Sequence, residues 1–372
     1  MTSRERLLAA LRGRPVDRLP WSPFLAYWWE HQPQALQDRG QIAFFRELGA
    51  DGLLRGFLSP FTVSDLGGMN GPTTPPPPGV EIRRSEQGDD IRVWLETPVG
   101  ILTMLGRRSS QGNTRFLVEH PVKRREDYKV LSYIFERMVI TPHYRPVAEQ
   151  IAEVGEDGLS VPLISPFGKT PFQSLIEHWV GTEQLVFDLM DYPEEVEALL
   201  AVMSARAEDA VRIAAASPAE AFITWEDSST TNVSPALFRR YIAPEMKRWA
   251  EIVHAEGKLL LHHACGHLKQ LLPIMAAEGV DSVESLSPPP TGNIEIWEAQ
   301  AVLGRDTGLV GGIEPVMFLT LSLTELHAYV QNLLDRMDPH RYILANSDSC
   351  PPGVSLEKFR LVTEMVRQHK VH

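Results

Sequence analysis

The chain has 372 residues, of which 43% are hydrophobic and 23% are charged, the proportions of a globular protein with a large core. Its formal net charge is −12 and no basic stripe is visible, which argues against nucleic acid or an anionic membrane surface as the main partner. No long apolar run predicts a transmembrane helix, and the lack of an export signal predicts a cytoplasmic location.

The first predicted element is a short helix, because Thr2 and Glu5 form a capping-box pattern before a run that extends to Leu11. Eight short apolar runs predict strands, at 18–24, 51–56, 159–165, 221–226, 258–265, 281–285, 308–313 and 341–346. Helical patterns lie between most of them, at 182–190, 194–214, 235–256, 268–278, 294–303, 323–337 and 356–369. Strands that alternate with helices, eight in number, predict a closed (β/α)8 barrel, the TIM-barrel fold of the α/β class.

The alternation of strands and helices is interrupted between about residues 57 and 158. The proline-rich run at 73–79 excludes a helix and a central strand. Further along, the patterns predict antiparallel strands at 81–84, 91–95 and 101–105, and helices at 127–138 and 142–154. We therefore predict one barrel domain over residues 1–372, with a partly antiparallel insertion at about 57–158 after the second strand. This insertion would cap the barrel or support contact in a homo-oligomer.

The two cysteines of the chain, Cys265 and Cys350, each follow a predicted strand. Side chains two residues apart on a strand share a face, so His263 and Cys265 point the same way and His262 points away. Functional groups of a barrel gather at the carboxyl ends of its strands. His263, Cys265 and Cys350 are thus a candidate zinc set with one open position for water, substrate or Glu226. Two unrelated core cysteines would explain the pattern equally well.

Carboxylates also follow several predicted strands. Glu226 and Asp227 end the fourth strand, where a carboxylate could bind the metal, act as a general base or orient a ligand histidine. The alternative is a capping network for the helix that begins near Ser234. Glu284 and Glu314 could line the site, or their carboxylates could form hydrogen bonds within their own loops. We take Glu226 and Asp227 as the candidate catalytic residues.

Several motifs resemble those of the uroporphyrinogen decarboxylase superfamily. They are RPVDRLP at 14–20, TPVG at 97–100, SPALF at 234–238, HACG at 263–266, GGI at 311–313 and CPP at 350–352. Within the superfamily the chain is most similar to the cobalamin-dependent methyltransferases, which carry a zinc motif of the form H-x-C-x(n)-C. His263, Cys265 and Cys350 match that motif one for one, so the resemblance favours zinc over unrelated core cysteines.

The resemblance implies a zinc-dependent methyltransferase that moves a methyl group between a corrinoid (cobalamin) and a small thiol or a methoxy or otherwise methylated substrate. Zinc would bind this substrate in its open position, and a bound thiol would lose its proton there. No corrinoid-binding domain is visible in the sequence. We therefore expect the corrinoid to arrive on a separate partner protein.

Two other functions are open. A decarboxylase of the same superfamily would need no metal, but residues 20–29 lack the arginine-rich motif with which those enzymes hold substrate carboxylates. The other is a barrel that binds a corrinoid or tetrapyrrole without turnover.

Overall fold

The structure, a computed structural model, describes residues 1–68, 73–109 and 115–370. Its strands, in chain order, are β1 (Gly52–Arg55), β2 (Phe61–Val63), β3 (Glu81–Gln87), β4 (Asp90–Thr97), β5 (Gly100–Arg108), β6 (Arg115–Glu119), β7 (Ile140–Pro142), β8 (Gly158–Val161), β9 (Ala221–Trp225), β10 (Leu259–His263), β11 (Ser282–Leu286), β12 (Gly308–Ile313) and β13 (Tyr342–Asn346). Residues 69–72 and 110–114 of the predicted insertion lie outside the described residues.

The α-helices, also in chain order, are α1 (Ser3–Leu11), α2 (Ala26–Glu30), α3 (Gln34–Gln37), α4 (Gln41–Leu48), α5 (Arg125–Glu136), α6 (Arg145–Val154), α7 (Pro171–Ser174), α8 (Thr182–Asp191), α9 (Pro193–Ala215), α10 (Pro235–Leu237), α11 (Ala243–Ala255), α12 (Leu272–Met275), α13 (Ile296–Leu303), α14 (Pro315–Thr320), α15 (Leu323–Arg336) and α16 (Leu356–Gln368). Two π-helical turns, Leu175–Trp179 and Phe238–Ile242, continue α7 and α10. None of the described helices is long and apolar enough to cross a membrane.

The chain divides into two compact units. Unit 1 comprises Met1–Ser59, Tyr144–Ile164 and Ala215–His372, and unit 2 comprises Pro60–His143 and Ser165–Ala214. The predicted organisation, a single barrel domain with an insertion at 57–158, stays a prediction.

Unit 1 contains seven of the described strands, and all of their pairings are parallel. β1 pairs with β8, and a five-stranded sheet has the order β13–β12–β11–β10–β9. Isolated bridges join Trp21 to Leu344 of β13 and Leu163 to Ile223 of β9. The α/β class is therefore confirmed, but the paired strands form two open sheets and not one closed sheet.

The first predicted strand, at 18–24, is the clearest difference between prediction and structure. Only Trp21 forms a bridge there, and the flanking residues are irregular. Pro20 and Pro23 explain the difference, because proline has no N–H to donate to a strand ladder. The predicted helix at 268–278 is likewise reduced to α12, and most other predicted elements of unit 1 differ from the structure by a few residues at their ends.

An apolar cluster forms the centre of unit 1. The helix α1 begins with the predicted capping box, in which Thr2 Oγ1 accepts from Glu5 N and Thr2 N donates to Glu5. The buried face of α1 packs on alternate residues of the parallel strands. The members of the cluster are Leu7, Leu8, Ala10, Leu11, Leu53, Leu159, Val161, Ala221, Ile223, Leu259, Leu261, Val310, Ile343 and Ala345. This packing removes a large apolar area from water and fixes which strand face points inward.

Unit 2 holds an antiparallel sheet in the order β3–β4–β5–β6 and a separate antiparallel pair of β2 with β7. Along β4 buried residues alternate with partly exposed ones, the pattern of a sheet covered on one face. The helix α5 packs against β4 and β5. The proline run at 75–78 is neither helix nor strand, as its composition predicts.

Candidate metal centre

The candidate site begins where the inward face of the strands changes from apolar to polar. Strand side chains alternate, so the face that carries Leu261 of the apolar cluster also carries His263, the last residue of β10. By the same count the face of Leu53 continues to Arg55. The carboxyl ends of these parallel strands thus bring polar groups to the top of the apolar cluster.

Neighbouring strands place partners on both sides of His263. The β-ladder pairs His263 with Trp225 of β9 and with Glu284 of β11. His263 Nδ1 lies 2.5 Å from Glu284 Oε2, and Glu284 Oε1 accepts from Arg55 Nη1 at 2.7 Å. Arg55 and Glu284 are fully buried and His263 is 2% exposed. An arginine, a carboxylate and an imidazole therefore form a continuous buried chain.

The other ring nitrogen of His263 faces two potential metal ligands. Asp227 Oδ1 lies 3.2 Å from His263 Nε2, and Cys265 Sγ lies 3.7 Å from the same Asp227 oxygen. The ligand atoms of Asp227, His263 and Cys265 all lie within 4.8 Å of one another. Imidazole, thiolate and carboxylate are all common zinc ligands, so this donor set fits the metal that the sequence predicts.

Local backbone geometry holds Asp227 and Cys265 opposite each other. Asp227 has a φ of +46°, a left-handed conformation that is uncommon for non-glycine residues but that aspartate adopts more readily than most. After Cys265 the chain turns at Gly266, whose φ is +86°. The hydroxyl of Ser229 then accepts from His267 N at 3.0 Å. This hydrogen bond joins the loop after β9 to the loop after β10.

The charges at the site change the acidity of its groups. Burial by itself lowers the pKa of His263, but the charge of Glu284 and hydrogen bonds to Asp227, Cys265 and Glu284 outweigh it, so the pKa lies well above 6.5. Burial raises the pKa of the Cys265 thiol, and the neighbouring His263 opposes that shift. In the absence of metal, these surroundings therefore favour the protonated form of both groups.

An aromatic layer supports the imidazole of His263. The Trp225 ring meets the His263 ring at a centroid distance of 4.6 Å and stacks on Phe24 at 5.6 Å. Trp225 Nε1 donates to Gly56 O at 3.1 Å. Gly56 has a φ of +79°, and a Cβ there would lie 2.1 Å from the Trp225 ring, so a larger residue would displace the indole.

Cys350, the third predicted zinc ligand, is outside this group of ligand atoms that lie within 4.8 Å of one another. Its side chain is fully buried, and its Sγ contacts the Pro351 carbonyl at 3.8 Å. Backbone hydrogen bonds to Phe24 and Trp28 fix the segment, and burial raises the pKa of the Cys350 thiol. The structure thus brings His263 and Cys265 together with Asp227, while Cys350 as a ligand stays a prediction.

The remaining predicted carboxylates divide between the site and the scaffold. Glu226 is fully buried at the end of β9 and is outside the group of three ligand atoms. Glu284 lines the site as the partner of His263. Glu314 instead caps α14, because its carboxylate accepts from Met317 N at 2.6 Å and from Thr291 Oγ1 at 2.5 Å.

Sequence reasoning missed Arg55. The run Gly52–Arg55 is apolar except for this arginine, which stands two residues after Leu53 of the inward face. A charged residue on an otherwise apolar inward face is the signal that could have identified it, since buried charges are rare unless they are paired. Its partner Glu284 is 229 residues away, so the pairing itself was not readable from the sequence.

Comparisons with known proteins agree with this architecture. A family model described as Uroporphyrinogen decarboxylase (URO-D) matches residues 112–369. A search of curated proteins finds no match. Among solved structures, a methyltransferase from Methanosarcina mazei is similar, with a TM-score of 0.61, 15% identity and 99% of each chain covered. A B12-independent methionine synthase from Shewanella sp. W3-18-1 in complex with selenomethionine has a TM-score of 0.47 and 11% identity, with 94% of this chain and 98% of that chain covered. The first similarity shows a shared fold.

Proposed function

Because the chain belongs to the uroporphyrinogen decarboxylase (URO-D) family, we propose that it is a zinc-dependent methyltransferase that moves a methyl group between a corrinoid and a small thiol or a methoxy or otherwise methylated substrate. The observation that carries this proposal is the group of Asp227, His263 and Cys265, whose ligand atoms lie within 4.8 Å of one another. We also propose that the parallel strands of unit 1, with the bridge at Trp21, complete a (β/α)8 barrel whose carboxyl-end face holds this site.

The chain's own residues would hold the metal in this way. His263 would donate through Nε2 and Cys265 through its thiolate, with Cys350 as the third ligand that the sequence motif predicts. Asp227 would occupy the remaining position until a substrate takes its place. Zinc bound there would act as a Lewis acid that lets a thiol bind as a thiolate at neutral pH.

Carboxylates at the site can accept the proton of a thiol substrate. Asp227 and Glu226 are the proposed catalytic carboxylates, and a carboxylate released from the metal can take the thiol proton. Asp227 has a partly exposed side chain, 42% accessible, so it can exchange between metal and water. Overall, the thiol loses a proton and gains a methyl group, and the corrinoid loses that methyl group. The corrinoid would arrive on a separate protein.

The test is metal analysis combined with a transfer assay. We expect about one zinc per purified wild-type chain, and loss of that zinc in Cys265→Ala. When the zinc-loaded protein is incubated with methylcobalamin and a panel of small thiols, the visible spectrum of methylcobalamin should change to that of the demethylated corrinoid. The zinc affinities of Cys350→Ala and Asp227→Asn, compared with wild type, then show how much each residue contributes to zinc binding. Wild-type protein that lacks zinc and transfers no methyl group in either direction would contradict the proposal.

A decarboxylase of the same family is the second candidate, supported by the family match over residues 112–369. Such an enzyme needs cations to bind substrate carboxylates. Arg55, a cation beside this site, is fully buried and already paired with Glu284. Decarboxylase activity in metal-free protein would favour this candidate, whereas corrinoid binding without either activity would favour a binding protein.

A further inference from the structure

We propose that Phe57 is a specificity-determining residue that selects substrates with an aromatic ring. Together with Phe24 and Trp225 it forms a layer of aromatic side chains beside the candidate metal centre, and this layer would bind the ring of a small aromatic thiol or aromatic methyl ether. The inference rests on the proposed function and names its substrate class. All three residues of the layer belong to unit 1.

Phe57 is exposed in a part of the molecule that otherwise buries its phenylalanines. Its side chain is 56% exposed, whereas the seven other phenylalanines of unit 1 are at most 5% exposed. Phe57 directly follows the turn at Gly56, just beyond the carboxyl end of β1. Binding sites of parallel α/β folds gather at the carboxyl ends of the strands. The exposed ring is therefore a surface that a ligand at this end of the strands can cover.

The backbone on both sides of Phe57 is held by hydrogen bonds. Gly56 N donates to Val161 O at 2.9 Å, and Leu163 N donates to Leu58 O at 2.8 Å. These two hydrogen bonds continue the parallel pairing of β1 with β8 past the ends of both strands. A ring that projects from a fixed backbone loses little conformational freedom when a ligand covers it, and this lowers the free-energy cost of binding.

Ring contacts connect Phe57 to the candidate metal centre. The ring centroids of Phe57 and Phe24 are 6.2 Å apart, and Phe24 stacks on Trp225 at 5.6 Å with an angle of 24° between the rings. The Trp225 ring in turn meets the His263 ring at 4.6 Å. The layer thus extends from an exposed ring to a proposed metal ligand. A substrate ring bound on the layer would carry its thiol or methoxy group beside that ligand.

The chemistry of the layer favours a neutral aromatic ring. Aromatic rings attract one another at centroid distances of about 4.5–7 Å, in addition to the effect of the apolar area that they bury. A saturated ring of the same size buries a similar area but lacks this attraction. The guanidinium of Arg55 contacts Phe24, but it is already paired with Glu284, so its charge gives an anionic ring little advantage.

The first experiment compares the binding of two methyl ethers of nearly equal size, anisole and methoxycyclohexane. Ligand-observed NMR measures their dissociation constants for the purified protein without any turnover. We expect wild type to bind anisole more tightly, and Phe57→Leu to reduce this preference by about 2- to 10-fold, the contribution of one aromatic pair expressed as a ratio of dissociation constants. Leucine keeps the surface apolar, and a substitution at an exposed side chain has little effect on folding.

Phe116 provides the matched control for Phe57. It is 57% exposed on β6, a strand of unit 2 that holds no residue of the candidate metal centre. Phe116→Leu removes an equally exposed ring, so it should leave the preference for anisole unchanged. An equal loss of preference in both variants would show a general effect of exposed rings and would overturn the role assigned to Phe57.

A transfer assay links the aromatic layer to the proposed reaction. In that reaction the thiol proton is released, the sulfur gains the methyl group of methylcobalamin, and the cobalt keeps the electron pair of the broken bond. Benzyl mercaptan should have a lower KM than cyclohexylmethanethiol. Phe57→Leu should raise the KM for benzyl mercaptan by about 2- to 10-fold and leave kcat unchanged, because a ring contact stabilises bound substrate and transition state equally. An equal rise of KM for both thiols would overturn the inference.

Failure of the substrate preference is distinguishable from failure of the proposed function. Equal affinity for anisole and methoxycyclohexane, in wild-type protein that binds zinc and transfers methyl groups, would overturn the role of the aromatic layer alone. Wild-type protein that binds no zinc and transfers no methyl group would instead refute the proposed function.

Discussion

At the scale of single residues, two adjacent histidines of β10 have different surroundings because strand side chains alternate between faces. His263 lies among Glu284, Asp227 and Cys265 on the inward face. His262 stacks on Phe238, with an interplanar angle of 10°, on the outward face. The alternation that separates them was readable from the sequence. The carboxylate that accompanies each of them was not, since both carboxylates come from later in the chain.

A pH-dependent contribution to stability is expected from His254. Its hydrogen bond to Asp281 raises its pKa above 6.5, although burial opposes this shift. A raised folded-state pKa means that the interaction stabilises the fold below the unfolded pKa and is lost as the pH rises through the folded pKa. His254→Gln should therefore destabilise the protein by about 0.5 kcal/mol more at pH 6 than at pH 9, the size measured for exposed ion pairs.

Urea denaturation at both pH values measures the effect of His254→Gln. The same substitution made in an Asp281→Asn background should show no difference between the two pH values, because the partner that raises the pKa is gone. An equal effect of His254→Gln at both pH values in the wild-type background would show that the ion pair contributes nothing.

At the scale of elements, the candidate centre depends on how strand ends and their following turns are built. β1 ends in Arg55 and is followed at once by Gly56, whose missing side chain leaves room for Trp225 of β9. The same indole contacts the ring of His263. Two strands that are far apart in sequence thus determine the position of one proposed metal ligand, His263, through a glycine and a tryptophan.

Gly56→Ala should therefore be more harmful than an ordinary glycine substitution. The alanine would have to adopt a left-handed φ, and its Cβ would lie 2.1 Å from the Trp225 ring. Gly257→Ala is the matched control, because Gly257 has a φ of +69° and no heavy atom within 4 Å of a built Cβ. We expect Gly56→Ala to lower the free energy of unfolding by about 1–3 kcal/mol more than Gly257→Ala, the usual cost of overpacking.

The comparison of the two glycine variants is made by urea denaturation, with zinc affinity as a second measurement. A displaced Trp225 should also weaken zinc binding in Gly56→Ala, and Gly257→Ala should not change it. Equal destabilisation by the two substitutions would mean that the indole moves aside without cost and that it does not hold His263.

At the scale of the whole molecule, a ligand that binds only the folded chain raises the free energy of unfolding of the whole protein. Zinc that is present at about 100 times its dissociation constant should raise the free energy of unfolding by about 2.7 kcal/mol. We therefore expect an increase in Tm when zinc is added to metal-depleted wild-type protein. Asp227→Asn should reduce the increase, because the structure places that carboxylate 3.2 Å from His263 Nε2.

Mg²⁺ is the control ion for the thermal shift, since it prefers oxygen ligands and binds thiolate and imidazole poorly. The Tm should not change when Mg²⁺ replaces zinc. The same increase in Asp227→Asn as in wild type would exclude Asp227 as a ligand, and the same comparison in Cys350→Ala measures whether the Cys350 thiol takes part.

The sequence by itself determined the α/β class, most helices and parallel strands, and the common face of His263 and Cys265, because these follow from local periodicity and turn chemistry. Of the strand predicted at 18–24 only the parallel bridge at Trp21 forms, since two prolines limit pairing there. The tertiary structure decided which groups surround His263. Asp227 and Glu284 contact it from two neighbouring strands, and Arg55 joins it through Glu284; such contacts depend on strand order and register, which no local pattern encodes.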